Sequence, residues 1–417
     1  MHFSSFFCLA LCSADVVIAG FNAASKSNVA IYWGQNSVGK IDSQDRLLNY
    51  WYVYTSISCP FLTHLVSKNG AEERFSTNPD VDVILLAFLL QMDGPGGEPV
   101  LNFANQGDDK KCQRFPGTYL ANCPELEYVV FPSCYPKVLC LPYLPECALK
   151  AARADIQACQ IAHGKTILLS IGGATYNEGG FLTPDAAITS ARKIWSMFGP
   201  PQSSSLFSGL YLDGYHPTMN QASTLRPFGQ ASVDGFDFDI EASAQNMASF
   251  ANELRTLMDD YTKHSSNQQG RPFYLTAAPQ CGFPDLYMKD VIDNVYLDMV
   301  FVQFYNNWCR INSFVPSTNE QPAYSFKAWD TWALEQSKNK DVKVFVGVPG
   351  GQSAAGSGYL PVDALAPVME YSAKFDSLGG TMVWDASQAW ANDGFLQGVK
   401  SALVRVSKRR GMRSGEE

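Results

Sequence analysis

Short apolar runs of strand length recur along the chain, and stretches with helical spacing lie between several of them. Helices are predicted at 186–198 and at 242–261, where Met247, Phe250, Leu254 and Met258 share one face. Strand and helix alternating eight times is the pattern that a closed (β/α)8 barrel requires, so the sequence predicts an α/β protein with one barrel domain. The predicted strands cover residues 29–35, 81–89, 165–173, 234–241, 273–280, 299–306, 342–349 and 380–387.

The fourth predicted strand, within "VDGFDFDIE" at residues 233–241, carries a carboxylate at every second position. Successive side chains of a strand point to opposite faces, so Asp237, Asp239 and Glu241 share one face with a spacing of about 6.6 Å. On an ordinary half-buried strand this face would simply meet water. In a barrel it would point inward, where branched apolar side chains are usual and buried carboxylates are costly unless they are used.

Crowded carboxylates cannot all ionise cheaply, so at least one should hold a proton near neutral pH, which is the condition for a general acid. Glu241 lies nearest the carboxyl end of the strand and is the predicted acid. Asp239, one step inward, could share a proton with Asp237 and orient a substrate group.

The other strand ends carry aromatic and amide side chains, and function in such barrels gathers at the carboxyl ends of the strands. Aromatic rings there could stack on sugar rings, although an aromatic residue at a strand end more often belongs to the core. Together with the acidic column they favour a carbohydrate cleft. The aromatic residues are Tyr32, Trp33, Phe88 and Trp384, and the amides are Gln35, Gln303 and Asn306.

Composition narrows the range of reactions and ligands that the predicted site could support. The 417 residues are 46% hydrophobic, which allows a large core, and the net charge of −9 argues against nucleic acid as a partner. None of the five histidines lies at a predicted strand end, which disfavours a Ser/His/Asp triad or a His-rich metal site. The carboxylates could instead hold Mg²⁺ or Ca²⁺ for phosphoryl chemistry. The strand lacks the glycine-rich or basic companions that a phosphate would need, so we predict no metal.

The "SIGG" at 170–173 is too short for a phosphate-binding loop and indicates a tight turn in which the backbone closely approaches its neighbours.

Residues 1–24 combine a short apolar core with small residues near Ala19, Ala23 and Ala24, which predicts a secretory signal peptide and a secreted, extracellular or cell-wall protein. The alternative is a disordered or membrane-attached start, because the apolar run is too short to span a bilayer. No integral membrane span is predicted elsewhere. The eleven cysteines suit an oxidising compartment.

Three aromatic-rich segments break the alternation of the barrel, which we place at 28–404. They lie near 51–79, 128–153 and 206–224, and are either lids and binding loops or translated non-coding sequence. Residues 405–417 are predicted to be a solvated basic tail.

Two motifs resemble those of family 18 glycoside hydrolases. "VDGFDFDIE" matches the signature DGxDxDxE, and "SIGG" matches the S-x-G-G of the preceding strand. The stretches "SNVAIYWGQN", "LTAAPQCGFPD", "VQFYNNWC", "AAGSGYLP" and "GGTMVWDAS" resemble the plant and fungal class III chitinase branch. The resemblance touches all eight predicted strands.

The resemblance implies a TIM barrel that cleaves chitin or chitooligosaccharides with retention, by a mechanism that needs no cofactor. We expect an endo-acting monomer, although the sequence does not distinguish endo from exo action. Glu241 would protonate the glycosidic oxygen while the acetamido oxygen of the substrate attacks the anomeric carbon. Asp239 would hold the acetamido group, Asp237 would take part in the proton shift, and Tyr305 would support the acetamido carbonyl. Trp384 would floor the cleavage subsite, with Gln303 and Asn306 lining it and Tyr32, Gln35 and Phe88 along the cleft.

The resemblance also implies disulfides between Cys112 and Cys123 and between Cys281 and Cys309. A third bridge would pair Cys159 with a residue near Asn49, where only Cys59 is available. Two other functions stay open: a lectin or inhibitor that keeps the barrel without catalysis, and an enzyme that cleaves N-glycan cores or peptidoglycan. The intact acidic column disfavours the first, whereas subsite length and loop shape would decide the second.

Overall fold

A computed structural model describes residues 20–39, 79–104, 113–114, 121–122, 155–201, 226–264 and 271–413. Within this part of the chain, eight parallel strands form a closed barrel in the order β1, β11, β10, β9, β8, β7, β6 and β2, and β1 pairs with β2 to close the ring. The predicted (β/α)8 fold is therefore confirmed. The strands are β1 (Asn28–Trp33), β2 (Val83–Gln91), β3 (Val100–Leu101), β4 (Gln113–Arg114), β5 (Ala121–Asn122), β6 (Thr166–Gly172), β7 (Gly235–Asp239), β8 (Tyr274–Ala277), β9 (Met299–Gln303), β10 (Lys343–Pro349) and β11 (Leu378–Trp384).

Helices lie outside the barrel strands, and two of them begin where the sequence supplies a cap. Thr183 accepts a hydrogen bond from the backbone of Ala186 at the start of α2, and Asp385 accepts one from Gln388 at the start of α7. The described helices are α1 (Asp155–Gln157), α2 (Pro184–Phe198), α3 (Met247–His264), α4 (Lys289–Asn294), α5 (Phe326–Glu335), α6 (Val362–Ser372), α7 (Ala386–Trp390) and α8 (Phe395–Arg413).

The period-two pattern separates two cores. On β7, Phe236 and Phe238 point outward into the layer between strands and helices, where Phe238 meets Phe250 of α3 edge to face. The inward face is apolar in the lower barrel, where Phe301 packs on Phe345. The inward face becomes polar toward the carboxyl ends of the strands. The amino-terminal half of the barrel interior therefore forms a packed core, and the carboxyl end holds the candidate site.

The amino-terminal end of the barrel is covered by Phe21. Its ring meets Tyr274 edge to face at 5.2 Å and lies 6.3 Å from Phe345, and its backbone N–H donates to Thr166 Oγ1 at 3.1 Å. Residues 20–24 fall inside the predicted signal peptide, yet Phe21 packs as part of the barrel.

Several boundaries differ from the sequence prediction. Strand β7 ends at Asp239 rather than at Glu241, and α3 begins at Met247 rather than at 242. Helix α8 runs to Arg413, through most of the predicted basic tail, and basic residues are favourable near a helix carboxyl end.

The predicted inserts at 128–153 and 206–224, and all but residue 79 of the one at 51–79, lie outside the described residues. The same holds for Cys59, Cys112 and Cys123. Among the helices that the structure describes, none is long and apolar enough to cross a membrane.

Candidate active site

Strand β7 carries the acidic column into the carboxyl end of the barrel. Asp237 and Asp239 are 0% and 3% exposed, and Glu241 lies two residues past the strand end with an intermediate exposure. The parallel register sets Ser170 of β6 and Thr276 of β8 beside Asp237. The exposure of these three side chains therefore increases along the column. Asp237 is fully buried at the base, and Glu241 is accessible at the top.

Asp237 is held by hydroxyl groups from three other strands. Its Oδ2 accepts from Tyr32 at 2.8 Å and from Ser170 at 2.7 Å, and its Oδ1 accepts from Thr276 at 2.6 Å. Burial raises the pKa of Asp237, and these hydrogen bonds oppose the rise. Both carboxylate oxygens are occupied, so Asp237 forms a fixed acceptor at the base of the column.

The outer carboxylates, Asp239 and Glu241, are hydrogen bonded to each other and titrate together. Burial, followed by the charges of Glu241 and Asp237, raises the pKa of Asp239 well above its usual range. Burial also raises the pKa of Glu241, and hydrogen bonds from Gln303 and Asp239 oppose this. The sequence predicts a proton shared between Asp239 and Asp237, but in this structure the hydrogen-bonding carboxyl partner of Asp239 is Glu241, because hydroxyl groups occupy Asp237.

One amide joins the pair to the next strands. Gln303 Nε2 donates to Asp239 Oδ1 at 2.8 Å, to the backbone oxygen of Ala278 at 2.9 Å and, at a longer 3.3 Å, to Glu241 Oε1. The predicted site residue Gln303 is therefore part of the acidic network, 6% exposed, and orients both carboxylates.

Asp285 is a fourth carboxylate near the site, outside the "DGFDFDIE" motif. It accepts backbone N–H groups of Gln280, Tyr287 and Met288 at 2.9, 2.8 and 2.5 Å and so shapes the loop after β8. Its charge is among the causes that raise the pKa values of Asp239 and Glu241. The aspartate of "CGFPD" has no periodicity around it that would mark it as a site residue.

Three aromatic rings from β11, β1 and β2 form a continuous floor. Trp384 stacks on Phe88 with centroids 6.0 Å apart and lies 5.4 Å from Tyr32. Trp384 retains partial exposure, whereas Phe88 and Tyr32 are 4% and 1% exposed. Trp384 thus offers the accessible face of the floor, and the other two rings support it from the sides and below.

Tyr305 lies two residues past the end of β9 and is 8% exposed. Burial raises the pKa of its phenol well above the usual range, and the charges of Asp239 and Glu241 add to this. The hydroxyl therefore stays protonated and can donate a hydrogen bond next to the acidic pair.

The "SIGG" segment explains the closeness of floor and column. A Cβ on Gly172 would lie 2.2 Å from the backbone oxygen of Asp239, and one on Gly173 would lie 2.7 Å from the ring of Phe88. Both glycines have positive φ, at 114° and 91°. The expected turn of close approach is confirmed, and it brings β6 against both halves of the site.

Other predicted site residues have roles in holding the structure together. Trp33 points into the outer core against Phe103, because it alternates with Tyr32. Gln35 Nε2 donates to the backbone oxygens of Ala87 and Asn102, both at 2.9 Å, and so ties the segment after β1 to β2 and to the end of β3. Tyr32 lies one layer below the cleft that the sequence predicts it to line. Asn306 is exposed and bonds to the backbone of Ser357.

The expected bridge between Cys281 and Cys309 is present, with an S–S distance of 2.01 Å and Cα atoms 5.8 Å apart. It joins the loops that follow β8 and β9 beside the acidic pair. Cys159 is buried, and its expected partner lies outside the described residues.

A pair of carboxyl groups whose pKa values are raised by burial, next to an aromatic floor, suits protonation of a sugar-linked oxygen, and at the mouth of a parallel barrel it defines a glycosidase-type site. The family model "Glycosyl hydrolases family 18" matches residues 29–359, and the chain belongs to this family.

Curated relatives support the assignment along nearly the whole chain. A class III chitinase of Arthroderma benhamiae is 40% identical over 392 residues, which is 94% of this chain and 90% of the relative. Endochitinase 33 of Trichoderma harzianum is 36% identical, covering 93% of this chain and 94% of the relative.

Solved structures share the fold at lower identity. A chitinase from Ipomoea carnea is 24% identical with a TM-score of 0.56, over 90% of this chain and 99% of that one. The xylanase and α-amylase inhibitor protein from Scadoxus multiflorus is 24% identical with a TM-score of 0.55, over 90% of this chain and 98% of that one. The barrel alone therefore does not decide between catalysis and inhibition.

Proposed function

We propose that this chain is an endo-acting chitinase that hydrolyses β-1,4-linked N-acetylglucosamine polymers with retention, with Glu241 as general acid and base. The observation that carries the proposal is the pair of carboxyl groups of Asp239 and Glu241, which Gln303 joins at the carboxyl end of the barrel that also holds the Trp384 floor. The names of the curated relatives support the substrate class.

The proposed reaction begins when Glu241 donates its proton to the glycosidic oxygen and the bond from that oxygen to the anomeric carbon breaks. The acetamido oxygen of the same sugar forms the new bond to the anomeric carbon and gives a cyclic oxazolinium ion. Glu241, now a carboxylate, takes a proton from water, whose oxygen attacks the anomeric carbon and reopens the ring. The two inversions leave the configuration retained.

The placement of the acids supports this route over one with a protein nucleophile. Conventional retaining glycosidases use two carboxyl groups about 5 to 5.5 Å apart on opposite sides of the sugar, whereas family 18 enzymes depart from that arrangement and use the substrate itself as nucleophile. Here Asp237 is saturated by hydroxyl donors, and Asp239 is bonded to Glu241 and Gln303. Asp239 would instead receive the acetamido N–H, with Tyr305 donating to the acetamido carbonyl.

The test compares Glu241→Gln with Glu335→Gln, a matched change on an exposed position of α5. With chitohexaose, the first should lower kcat by about 10² to 10⁴, the size of a general acid's contribution, while the second leaves it unchanged. The first product formed should be the β-anomer, as read by chromatography before mutarotation. If the folded protein binds the oligosaccharide but releases no product, the proposed enzyme activity is refuted and a lectin or inhibitor function takes its place. The neighbour from Scadoxus multiflorus is named as an inhibitor.

Secretion is part of the proposal, with a leader that ends at Ala19. Cleavage after Ala24 would remove Phe21, which packs on Tyr274 and bonds to Thr166, whereas cleavage after Ala19 leaves Gly20 as the first residue and keeps that contact. Amino-terminal sequencing of protein from the culture medium tests this: a start at Gly20 supports it, and a start at or after Asn22 refutes it.

A further inference from the structure

Asp385, the residue after Trp384, is a buried carboxylate that the proposed reaction does not use. It is 0% exposed, and both of its oxygens accept hydrogen bonds. Oδ2 accepts the backbone N–H of Ser37 at 3.0 Å, and Oδ1 accepts the hydroxyl of Ser387 at 2.7 Å and the backbone N–H of Gln388 at 3.1 Å. Hydrogen bonds to a carboxylate are stronger than those between neutral groups, so Asp385 firmly joins the segment after β1 to the start of α7.

A further hydrogen bond reinforces this junction. The hydroxyl of Ser387, which donates to Asp385, also accepts the backbone N–H of Val38 at 3.2 Å. On the side of β10, the backbone oxygen of Trp384 accepts the N–H of Gly350 at 2.6 Å. The backbone that carries the Trp384 ring is therefore held from both neighbouring strands. We call the hydrogen bonds that Asp385 and Ser387 make to residues 37–38 the Asp385 clamp.

The Asp385 clamp lies beyond the paired part of β1 and β11. The last paired residues of these two strands are Ile31 and Val383, so the rings of Tyr32 and Trp384 follow the last pair on both strands. The two rings lie 5.4 Å apart in the floor. Past the last pair, the Asp385 clamp joins the two segments by side-chain hydrogen bonds, and it thereby helps to set the distance between the rings.

The segment after β1 carries the connection on to the third ring of the floor. A Cβ on Gly34 would lie 2.2 Å from the backbone oxygen of Ala87, and Gln35 Nε2 donates to that same oxygen at 2.9 Å. Ala87 immediately precedes Phe88, whose ring stacks on Trp384. The Asp385 clamp and this close approach together connect the backbones that carry all three rings.

We propose that Asp385 is a positioning residue for the proposed chitinase reaction and acts through Trp384. Its carboxylate is fully buried and does not touch the substrate, but it holds the Trp384 ring in the place where that ring would meet the sugar. A ring displaced by about 1 Å would seat the scissile bond away from Glu241, and a misplacement of this size can lower a rate by about 100-fold. This inference rests on the proposed function, because it needs the substrate and the acid named there.

The test is a double-mutant cycle that combines Asp385→Asn with Trp384→Ala and measures kcat/KM for chitohexaose. Asparagine keeps the shape of the side chain but has one acceptor oxygen, so the N–H of Ser37 or that of Gln388 would face an NH2 group. Asp385→Asn should lower kcat/KM about 10- to 100-fold in the parent protein. In the Trp384→Ala background it should lower kcat/KM less than about twofold, because effects that act through one ring are not additive.

Thr183→Ala is the matched control, because Thr183 caps α2 as Asp385 caps α7. Thr183 is exposed, and its hydroxyl accepts the backbone N–H of Ala186 at 3.2 Å. Both substitutions remove a helix cap and should lower the midpoint of thermal unfolding. Only Asp385→Asn should lower kcat/KM for chitohexaose.

Ser387→Ala is a milder second variant, which decides if Asp385→Asn does not fold. It removes one donor to Asp385 and the acceptor for Val38, and it leaves the backbone cap of α7 in place. Its loss of kcat/KM should be smaller than that of Asp385→Asn and should also vanish in the Trp384→Ala background. An unchanged kcat/KM in Ser387→Ala would then refute the positioning role.

An equal loss of kcat/KM from Asp385→Asn with and without the Trp384 ring would overturn the proposal, since the effect would not pass through the ring. An unchanged kcat/KM in the parent background would overturn it too, and both results leave the chitinase intact. If the parent protein cleaves no chitohexaose, the same cycle is measured as binding by calorimetry. A loss of binding that vanishes in Trp384→Ala then supports the positioning role on a non-catalytic barrel. A loss that persists, unchanged binding, or no binding by the parent protein refutes it.

Discussion

Gly173→Ala should destabilise the protein and weaken substrate binding together, because this glycine separates β6 from the aromatic floor. A Cβ at this position would lie 2.7, 2.8 and 3.1 Å from three ring atoms of Phe88, and the backbone has φ of 91°. An alanine in the left-handed region costs about 1 to 2 kcal/mol, and overpacking a filled site costs about 1 to 3 kcal/mol. The sum predicts a loss of about 2 to 5 kcal/mol in the free energy of unfolding.

Gly179→Ala is the matched control in the same loop. Its φ is 74°, and a Cβ there would have no neighbour within 4 Å, so only the backbone cost of about 1 to 2 kcal/mol applies. Guanidinium unfolding followed by tryptophan fluorescence measures both variants, provided that the transitions are two-state with equal slopes.

Activity supplies the second measurement. Phe88 stacks on Trp384, so a displaced Phe88 should disturb the floor and raise KM for chitohexaose in Gly173→Ala but not in Gly179→Ala. Equal losses of stability in the two variants would show that the ring of Phe88 moves aside without a loss of free energy. The proposed coupling between the turn at Gly173 and the aromatic floor would then be refuted.

Three further perturbations follow from the same site. Asp285→Asn removes a charge that raises the pKa values of Asp239 and Glu241, so this pair should lose its proton at lower pH. The alkaline limb of the pH dependence of kcat/KM should therefore move to lower pH, and an unchanged limb would contradict the electrostatic role of Asp285. Thr276→Val removes a 2.6 Å donor to Asp237 with little change in shape and should cost about 1 to 3 kcal/mol in unfolding free energy, with circular dichroism as the readout and unchanged stability as the negative result. Phe21→Ala should destabilise by about 2 to 4 kcal/mol, somewhat below the value for a fully buried ring, while leaving KM for chitohexaose unchanged, since Phe21 lies at the opposite end of the barrel from the cleft.

The fold and the acidic column could be predicted because each depends on a local period. Alternation along β7 separates Phe236 and Phe238 from Asp237 and Asp239, and the helical spacing of α3 selects Met247, Phe250, Leu254 and Met258, all buried. Local period does not specify how far a strand stays paired, which is why the pattern extends the strand to Glu241, two residues beyond the end of β7.

The hydrogen-bond donors to Asp237 could not be predicted in the same way, because they come from other strands. Tyr32, Ser170 and Thr276 lie on β1, β6 and β8 and meet at Asp237 only when the barrel closes. Tyr32 carries the same aromatic signal as Trp384, and only the register shows that one is a buried donor and the other an accessible ring.

Depth within the barrel also explains how one motif could hold three acids with the different tasks that we propose. Hydroxyl donors occupy both oxygens of Asp237, so the negative charge can be tolerated at the sealed base of the column. Asp239 is equally buried by the strand but has a carboxyl group and one amide as partners, which favours the protonated form. In the proposed mechanism, Glu241 receives that proton at the position of the column nearest solvent. The division of labour is therefore set by neighbouring strands, and exchanging donors around Asp237 and Asp239 should change which carboxyl group holds the proton even though "DGFDFDIE" stays intact.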